Sequence, residues 1–208
     1  MESLTKPKLN VHVPDLEEGA GAWSLDVDRL NPYAWTDNVF SVDDCQSIIE
    51  LMEGRGLKRG RVFGRGKHEE SRNSYVRFLF PDDATYWIFE RITGVLIDMN
   101  KEYFGFDLTG MNEGIQFTRY SAPGEKYDWH FDSTYGQARR KLSLSIQLSD
   151  PNSYEGGNFE IMTGNATSLS RDQGTMLVFP SYMNHRVTPV NSGVRYSLVA
   201  WVTGPAFR

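Results

Sequence analysis

The side chains best suited to chemistry are His130 and Asp132, which end the run Tyr120-Ser-Ala-Pro-Gly-Glu-Lys-Tyr-Asp-Trp-His-Phe-Asp132. On an extended strand, residues at i and i+2 point to the same face, so an imidazole and a carboxylate could grip one metal ion while Phe131 turns the other way. A third ligand is needed, and the other histidine of the C-terminal half is His185, in Phe179-Pro-Ser-Tyr-Met-Asn-His-Arg-Val-Thr-Pro-Val190. Two histidines and one carboxylate on one face of an octahedral ion leave three positions open, a set suited to non-haem Fe(II). Arg195 follows on the strand-like run Val194-Arg-Tyr-Ser-Leu-Val-Ala-Trp-Val202. A guanidinium there could take a carboxylate in a two-pronged hydrogen bond, so metal and arginine together point to an anionic, chelating cosubstrate.

A His-x-Asp triplet alone is common and proves nothing; its setting is what counts. The setting includes Tyr120, ten residues before His130; Tyr127-x-x-His130-x-Asp132; Arg140-Lys-Leu-Ser-Leu-Ser-Ile-Gln-Leu-Ser149; and Tyr154-Glu-Gly-Gly157. Gly174-Thr-Met-Leu-Val-Phe-Pro-Ser181, His185-Arg-Val-Thr-Pro-Val190 and Gly193-Val-Arg-Tyr-Ser-Leu-Val-Ala-Trp201 follow in order. In these pieces the chain, from about Glu113 to Trp201, resembles the Fe(II)- and 2-oxoglutarate-dependent dioxygenases, in particular the prolyl 4-hydroxylase-like (PKHD-type) branch.

The resemblance implies that His130, Asp132 and His185 bind Fe(II) and that Arg195 pairs with the distal carboxylate of 2-oxoglutarate. Tyr120 matches the family tyrosine that hydrogen-bonds that carboxylate, and Gln147 stands where relatives place another polar contact. Ascorbate is a further expected cofactor. The implied activity is hydroxylation of an unactivated C–H bond, with a prolyl residue in a peptide or protein as substrate. The alternatives are a free amino acid or small metabolite, and a non-catalytic cupin-like metal-binding module. Alkylated-base demethylases of the superfamily carry a second arginine six residues after the first; here that position is Trp201, which argues against a nucleic-acid substrate.

These residues need a scaffold that holds distant ligands rigidly. From residue 113 the apolar pattern has period two with frequent turn signals, which an antiparallel barrel requires. Leu142, Leu144, Ile146 and Leu148 alternate with Ser143, Ser145 and Gln147, and on the last strand Arg195, Ser197, Val199 and Trp201 share a side. Together with the resemblance this gives a mainly β fold with flanking helices, a double-stranded β-helix or jelly-roll, cupin-like barrel. A chain of 208 residues, 39% hydrophobic, suits a single domain over 1–208. Its expected parts are an N-terminal arm (1–40) with an edge strand, supporting helices and a mobile loop (41–112), and the catalytic barrel (113–205).

Ser41-Val-Asp-Asp44 has the form of a capping box, followed by Cys45, Ile48, Ile49 and Met52 at helical spacing. Ile88, Ile92, Val95, Leu96, Met99 and Tyr103 form the apolar stripe of a second helix, ending at Gly105. Between them the glycine-rich, mostly basic segment Lys58–Arg72 reads as a mobile loop and as a lid over substrate, with Arg59, Arg61 and Arg65, together with Trp201, as substrate contacts. His12 and His68 read as ordinary arm and loop histidines.

The net charge of −5 argues against global attraction to nucleic acid or to an anionic membrane. One cysteine, Cys45, reads as a buried thiol in a reducing compartment. With no membrane span and no signal-peptide pattern, the expected location is the cytoplasm of a bacterial, viral or phage-infected cell.

Overall fold

The computed structural model describes the backbone of residues 9–10 and residues 31–60, 71–133 and 139–206. His12, Arg61, Arg65 and His68 lie outside the described residues. In chain order the elements are β1 (Leu9–Asn10), β2 (Ala34–Thr36), α1 (Val42–Gly54), β3 (Lys58–Arg59), β4 (Arg72–Asn73), β5 (Tyr75–Leu79) and α2 (Tyr86–Met99). A π-helical turn (Asn100–Phe104) extends α2 and ends at Gly105, whose φ of 64° is the left-handed value that glycine adopts freely. Then come β6 (Ile115–Ser121), β7 (Lys126–His130), β8 (Arg140–Gln147), β9 (Tyr154–Gly156), β10 (Phe159–Met162), β11 (Ala166–Ser168), β12 (Met176–Pro180), β13 (His185–Val187) and β14 (Val190–Thr203).

Two sheets face each other as a double-stranded β-helix. The larger runs β1-β2-β12-β8-β14-β6-β5-β3, with β9 also paired to β14; the smaller runs β11-β10-β13-β7-β4. The strands of the larger sheet are two-faced. Leu142, Leu144 and Ile146 of β8, Leu198, Ala200 and Val202 of β14, and Ile115 and Phe117 of β6 pack outward in one core with the apolar stripes of both helices. Those stripes are Cys45, Ile48 and Met52 on α1 and Ile88, Ile92, Leu96 and Met99 on α2, all buried. Each such side chain contributes roughly 1.5–3 kcal/mol relative to exposure. A second cluster, with Tyr120, Phe159, Ile161, Leu177, Phe179, Val187 and Val190, fills the space between the sheets.

α1 begins as its sequence requires. Ser41 Oγ accepts the Asp44 N–H and the Asp44 carboxylate accepts the Ser41 N–H, the reciprocal bonds of a capping box. Burial pushes the Cys45 thiol up to about 12, so it stays protonated and packs as a small apolar group.

The segment Lys58–Arg72 is not a loop throughout. Lys58–Arg59 pair with Val76 and Tyr75 at one edge of the larger sheet, and Arg72–Asn73 pair with Tyr127 and Lys126 at the edge of the smaller one. Two-residue strands carry no periodicity, which is why the glycine content dominated the sequence reading. The larger sheet also recruits Ala34–Thr36 and Tyr75–Leu79 from upstream of residue 113.

Gly174 ties α1's entry to the barrel: its carbonyl accepts the N–H groups of Val39 and Phe40, its φ is 81°, and a Cβ there would lie 2.0 Å from the Phe40 carbonyl oxygen. Gly174→Ala should therefore cost about 2–4 kcal/mol of stability, read as a lower urea midpoint. An unchanged midpoint would show that this contact yields easily.

Candidate metal and cosubstrate site

Antiparallel pairing of β7 with β13 sets His185 directly opposite His130. Asp132, two residues beyond His130, completes a cluster whose ligand atoms all lie within 4.8 Å of one another. Asp132 Oδ1 is 3.8 Å from His130 Nε2, and Oδ2 is 3.4 Å from His185 Nε2. Each imidazole uses its other nitrogen to donate to a backbone carbonyl, His130 Nδ1 to Asp128 O at 2.8 Å and His185 Nδ1 to Met183 O at 3.0 Å. That fixes the tautomer that leaves both Nε2 lone pairs for a cation.

Burial and the neighbouring His185 drive the His130 pKa well below its ordinary value, so the ring is neutral at neutral pH, as a metal ligand must be. Burial alone would raise the Asp132 pKa; interaction with His185 and His130 and the hydrogen bond from the Ser143 hydroxyl outweigh it and hold the carboxyl below its ordinary value. This donor set, largely buried and pre-oriented, fits a divalent first-row metal.

The carboxylate is held from behind. Ser143 Oγ donates to Asp132 Oδ2 at 2.7 Å and lies 2.9 Å from Ser181 Oγ. With its one proton given to Asp132, Ser143 must accept from Ser181. Arg140 is buried, stacks its guanidinium 4.0 Å over the Trp201 ring, pairs with Glu113 and donates to the Asp132 carbonyl at 3.2 Å. Ser143, Ser181, Arg140 and Glu113 were not picked out from sequence as site residues. Ser143 carried a signal in the inward alternation of β8, but its partners are supplied only by the fold.

Arg195 is 1% exposed and lies on the inward face of β14. Nη2 donates to Gln147 Oε1 at 2.7 Å, Nη1 lies 3.4 Å from Ser197 Oγ, and the guanidinium carbon is 5.6 Å from the centre of the Tyr120 ring. The three residues assigned to cosubstrate are thus brought together. Among the described residues no carboxylate pairs with Arg195, and both its Nε and Gln147 Nε2 are buried without a hydrogen-bond partner. A buried, unpaired guanidinium is strongly destabilising unless an anion joins it, so this pocket fits the carboxylate of a small acid.

Metal cluster and arginine border one cavity of about 900 Å³. Arg59 lines its mouth from β3, and Trp201 lines it as a buried wall residue of β14 rather than as part of a lid.

The hydroxyl bond to Asp132 makes Ser143 a test of the site. Partners of metal ligands typically matter 10–100-fold in affinity, so Ser143→Ala should weaken Co(II) binding by about that factor while Ser143→Thr restores most of it. Equal affinities by calorimetry in all three proteins would mean that the hydroxyl does not orient the ligand.

Comparison with known proteins follows the same lines. Residues 115–203 match the family model of the 2OG-Fe(II) oxygenase superfamily. A PKHD-type hydroxylase of Synechococcus sp. (strain CC9605) is 42% identical over 100 residues, 47% of this chain and 45% of that protein. One from Sphingopyxis alaskensis is 33% identical over 130 residues, 58% of each chain. These matches thus span about half the length of the curated relatives. Among solved structures, a Pseudomonas putida prolyl-4-hydroxylase superposes with a TM-score of 0.68 at 18% identity, covering 84% of this chain and 94% of that one. A Trichoplax adhaerens prolyl hydroxylase, solved with a hypoxia inducible factor peptide, gives 0.69 at 15% identity, covering 83% of each chain. At such identities these two share the fold. The segment 115–203, which carries His130, Asp132, His185 and Arg195, belongs to the 2OG-Fe(II) oxygenase superfamily.

Proposed function

We propose that this protein is an Fe(II)- and 2-oxoglutarate-dependent dioxygenase that hydroxylates an unactivated C–H bond, with a prolyl residue of a peptide as substrate. The observation that carries the reading is the buried Arg195, without a carboxylate partner among the described residues, opening into the same cavity as the His130, Asp132 and His185 cluster. In this reading the two Nε2 atoms and the Asp132 carboxylate hold iron, and Arg195, Gln147 and Tyr120 orient the cosubstrate's distal carboxylate. When bound, iron and 2-oxoglutarate would supply the electrons that activate dioxygen, the oxidant, for attack on a C–H bond. The protein's share is geometry and exclusion of water: Phe159 and Phe179 pack against His185, and Val187 and Val199 line the cavity.

Two observations favour a peptidyl proline. The cavity is larger than the cosubstrate needs, and its rim carries Phe78 and Phe131, 41% and 51% exposed, beside Trp201. Exposed aromatic faces at a cavity mouth suit an apolar ring that enters from an extended chain. The curated relatives and the solved structures carry hydroxylase and prolyl hydroxylase names, which supports the same substrate class. Among the described residues no helix is long and apolar enough to cross a membrane.

The test is an anaerobic titration of the apoprotein with Fe(II) and then 2-oxoglutarate, following the visible charge-transfer band of the chelate. The wild type should show the band and His185→Ala should not. Arg195→Ala should bind 2-oxoglutarate about 100-fold more weakly, the worth of two charge-assisted hydrogen bonds, with Fe(II) affinity nearly unchanged. Iron binding without the band in the wild type would remove the cosubstrate assignment, and equal loss of both ligands in Arg195→Ala would make Arg195 structural. A proline-peptide screen for a mass gain of one oxygen atom then addresses the substrate.

A further inference from the structure

The cavity holds more positive charge than the proposed chemistry uses. With the reading above, a divalent metal and Arg195 balance Asp132 and the dianionic cosubstrate, while Arg140 and Glu113 neutralise each other. Three cations that line the same cavity are left over: Lys58, Arg59 and Arg72. Among the described residues none of them forms an ion pair.

Arg72 is not a surface cation that solvent could satisfy. It is 7% exposed, its Nε donates to Ser74 Oγ at 2.9 Å, and its Nη2 is buried without a hydrogen-bond partner. The backbone clamps it: Gly60 N–H donates to the Ser74 carbonyl, and a Cβ on Gly60 would sit 2.9 Å from Arg72 Nε. Its guanidinium carbon lies 4.6 Å from the centre of the Tyr127 ring, and the other face of that ring stacks on His130 at 3.6 Å. Arg72 therefore stands one aromatic ring away from a proposed metal ligand. A rigid, desolvated guanidinium with donors to spare is suited to a carboxylate and poorly suited to a neutral group.

Resting on the reading above, we infer that the substrate carries a carboxylate close to the carbon that is oxidised, and that Arg72, with Lys58 and Arg59 at the mouth, binds it. That carboxylate is either the side chain of an acidic residue flanking the target proline or the free carboxylate of a small acid. Both present the same chemistry to Arg72. Lys58 and Arg59 are exposed, so their part is attraction on approach, which salt screens; Arg72 supplies the desolvated contact, which salt screens much less.

Binding without turnover tests this. Mn(II) replaces iron, and acid and amide partners are compared by calorimetry: end-blocked Gly-Glu-Pro-Gly against Gly-Gln-Pro-Gly, and free proline against prolinamide. Titrations run with and without Mn(II) and 2-oxoglutarate, so the comparison does not depend on the cosubstrate reading. At least one acid should bind about tenfold or more tightly than its amide, the scale of one charge-assisted hydrogen bond. Arg72→Gln should abolish that preference and leave 2-oxoglutarate affinity within about twofold. Lys58→Gln combined with Arg59→Gln, both on exposed positions, should keep the preference and remove most of its salt dependence. A preference confined to free proline and lost in Arg72→Gln would keep the carboxylate subsite and defeat the peptide reading. Equal binding within both pairs, a preference that survives Arg72→Gln, or an Arg72→Gln loss that falls on 2-oxoglutarate instead would overturn the inference.

Discussion

The antiparallel register that places His185 opposite His130 is the constraint on which the site depends. Strand side chains alternate with a period of two, so a slip of one residue would turn an imidazole out of the barrel. The pairing is also irregular at this point: from Tyr127 to His130 on β7 there is one residue more than from His185 to Val187 on β13. Such a bulge re-aims side chains, and here it lets Tyr127 and His130, three apart, stack at 3.6 Å when a regular strand would separate them onto opposite faces. The proposed ligand, the ring behind it and Arg72 beyond that ring form one stack because the ladder is broken where it is.

The second constraint is electrostatic. β8 is buried along its whole length, so its inward face could have been apolar, yet it presents Ser143, Ser145 and Gln147. Two of them have tasks that an apolar residue could not do: Ser143 bonds Asp132 and Gln147 bonds Arg195, while Ser145 borders the cavity. A single central strand thus links the metal cluster and the arginine, and its outward leucines anchor it to the helices. The helices then act on the site at second hand, by fixing the plane from which those three side chains project.

Much of this was legible in the chain. Alternation on β8 and β14 identified their inward faces, the capping box and apolar stripes located both helices, and the spacing of His130, Asp132, His185 and Arg195 brought four distant positions into one hypothesis. What the sequence hid has a common cause. Lys58–Arg59 and Arg72–Asn73 are too short to show a period, so the glycine-rich setting of Lys58–Arg72 made it look like a loop, and Arg72 was not among the substrate contacts read from it. Glu113 and Arg140 are 27 residues apart, and no local pattern announces an ion pair at that separation. The bulge in β7 likewise leaves no trace in composition, and it is what turns Tyr127 toward His130.

Asp132 shows why those hidden contacts matter. His130 and His185 lie on β7 and β13 and inherit their positions from the ladder, but β7 ends at His130 and Asp132 follows it. Nothing in the sheet holds the carboxylate, so separate bonds must. Its N–H donates to the Ser181 carbonyl at 3.0 Å, its own carbonyl accepts from Arg140, and its Oδ2 accepts from Ser143. Ser181 appears in two of these restraints, through its backbone and through the hydroxyl that reaches Ser143, and its own N–H is held by the Lys141 carbonyl. Backbone and carboxylate are therefore fixed by different partners on β8, while the carboxylate's remaining oxygen faces His130. A ligand placed by side chains rather than by the ladder can be tuned without disturbing the barrel, and that makes β8 the element through which such a site changes its metal affinity while its fold stays the same.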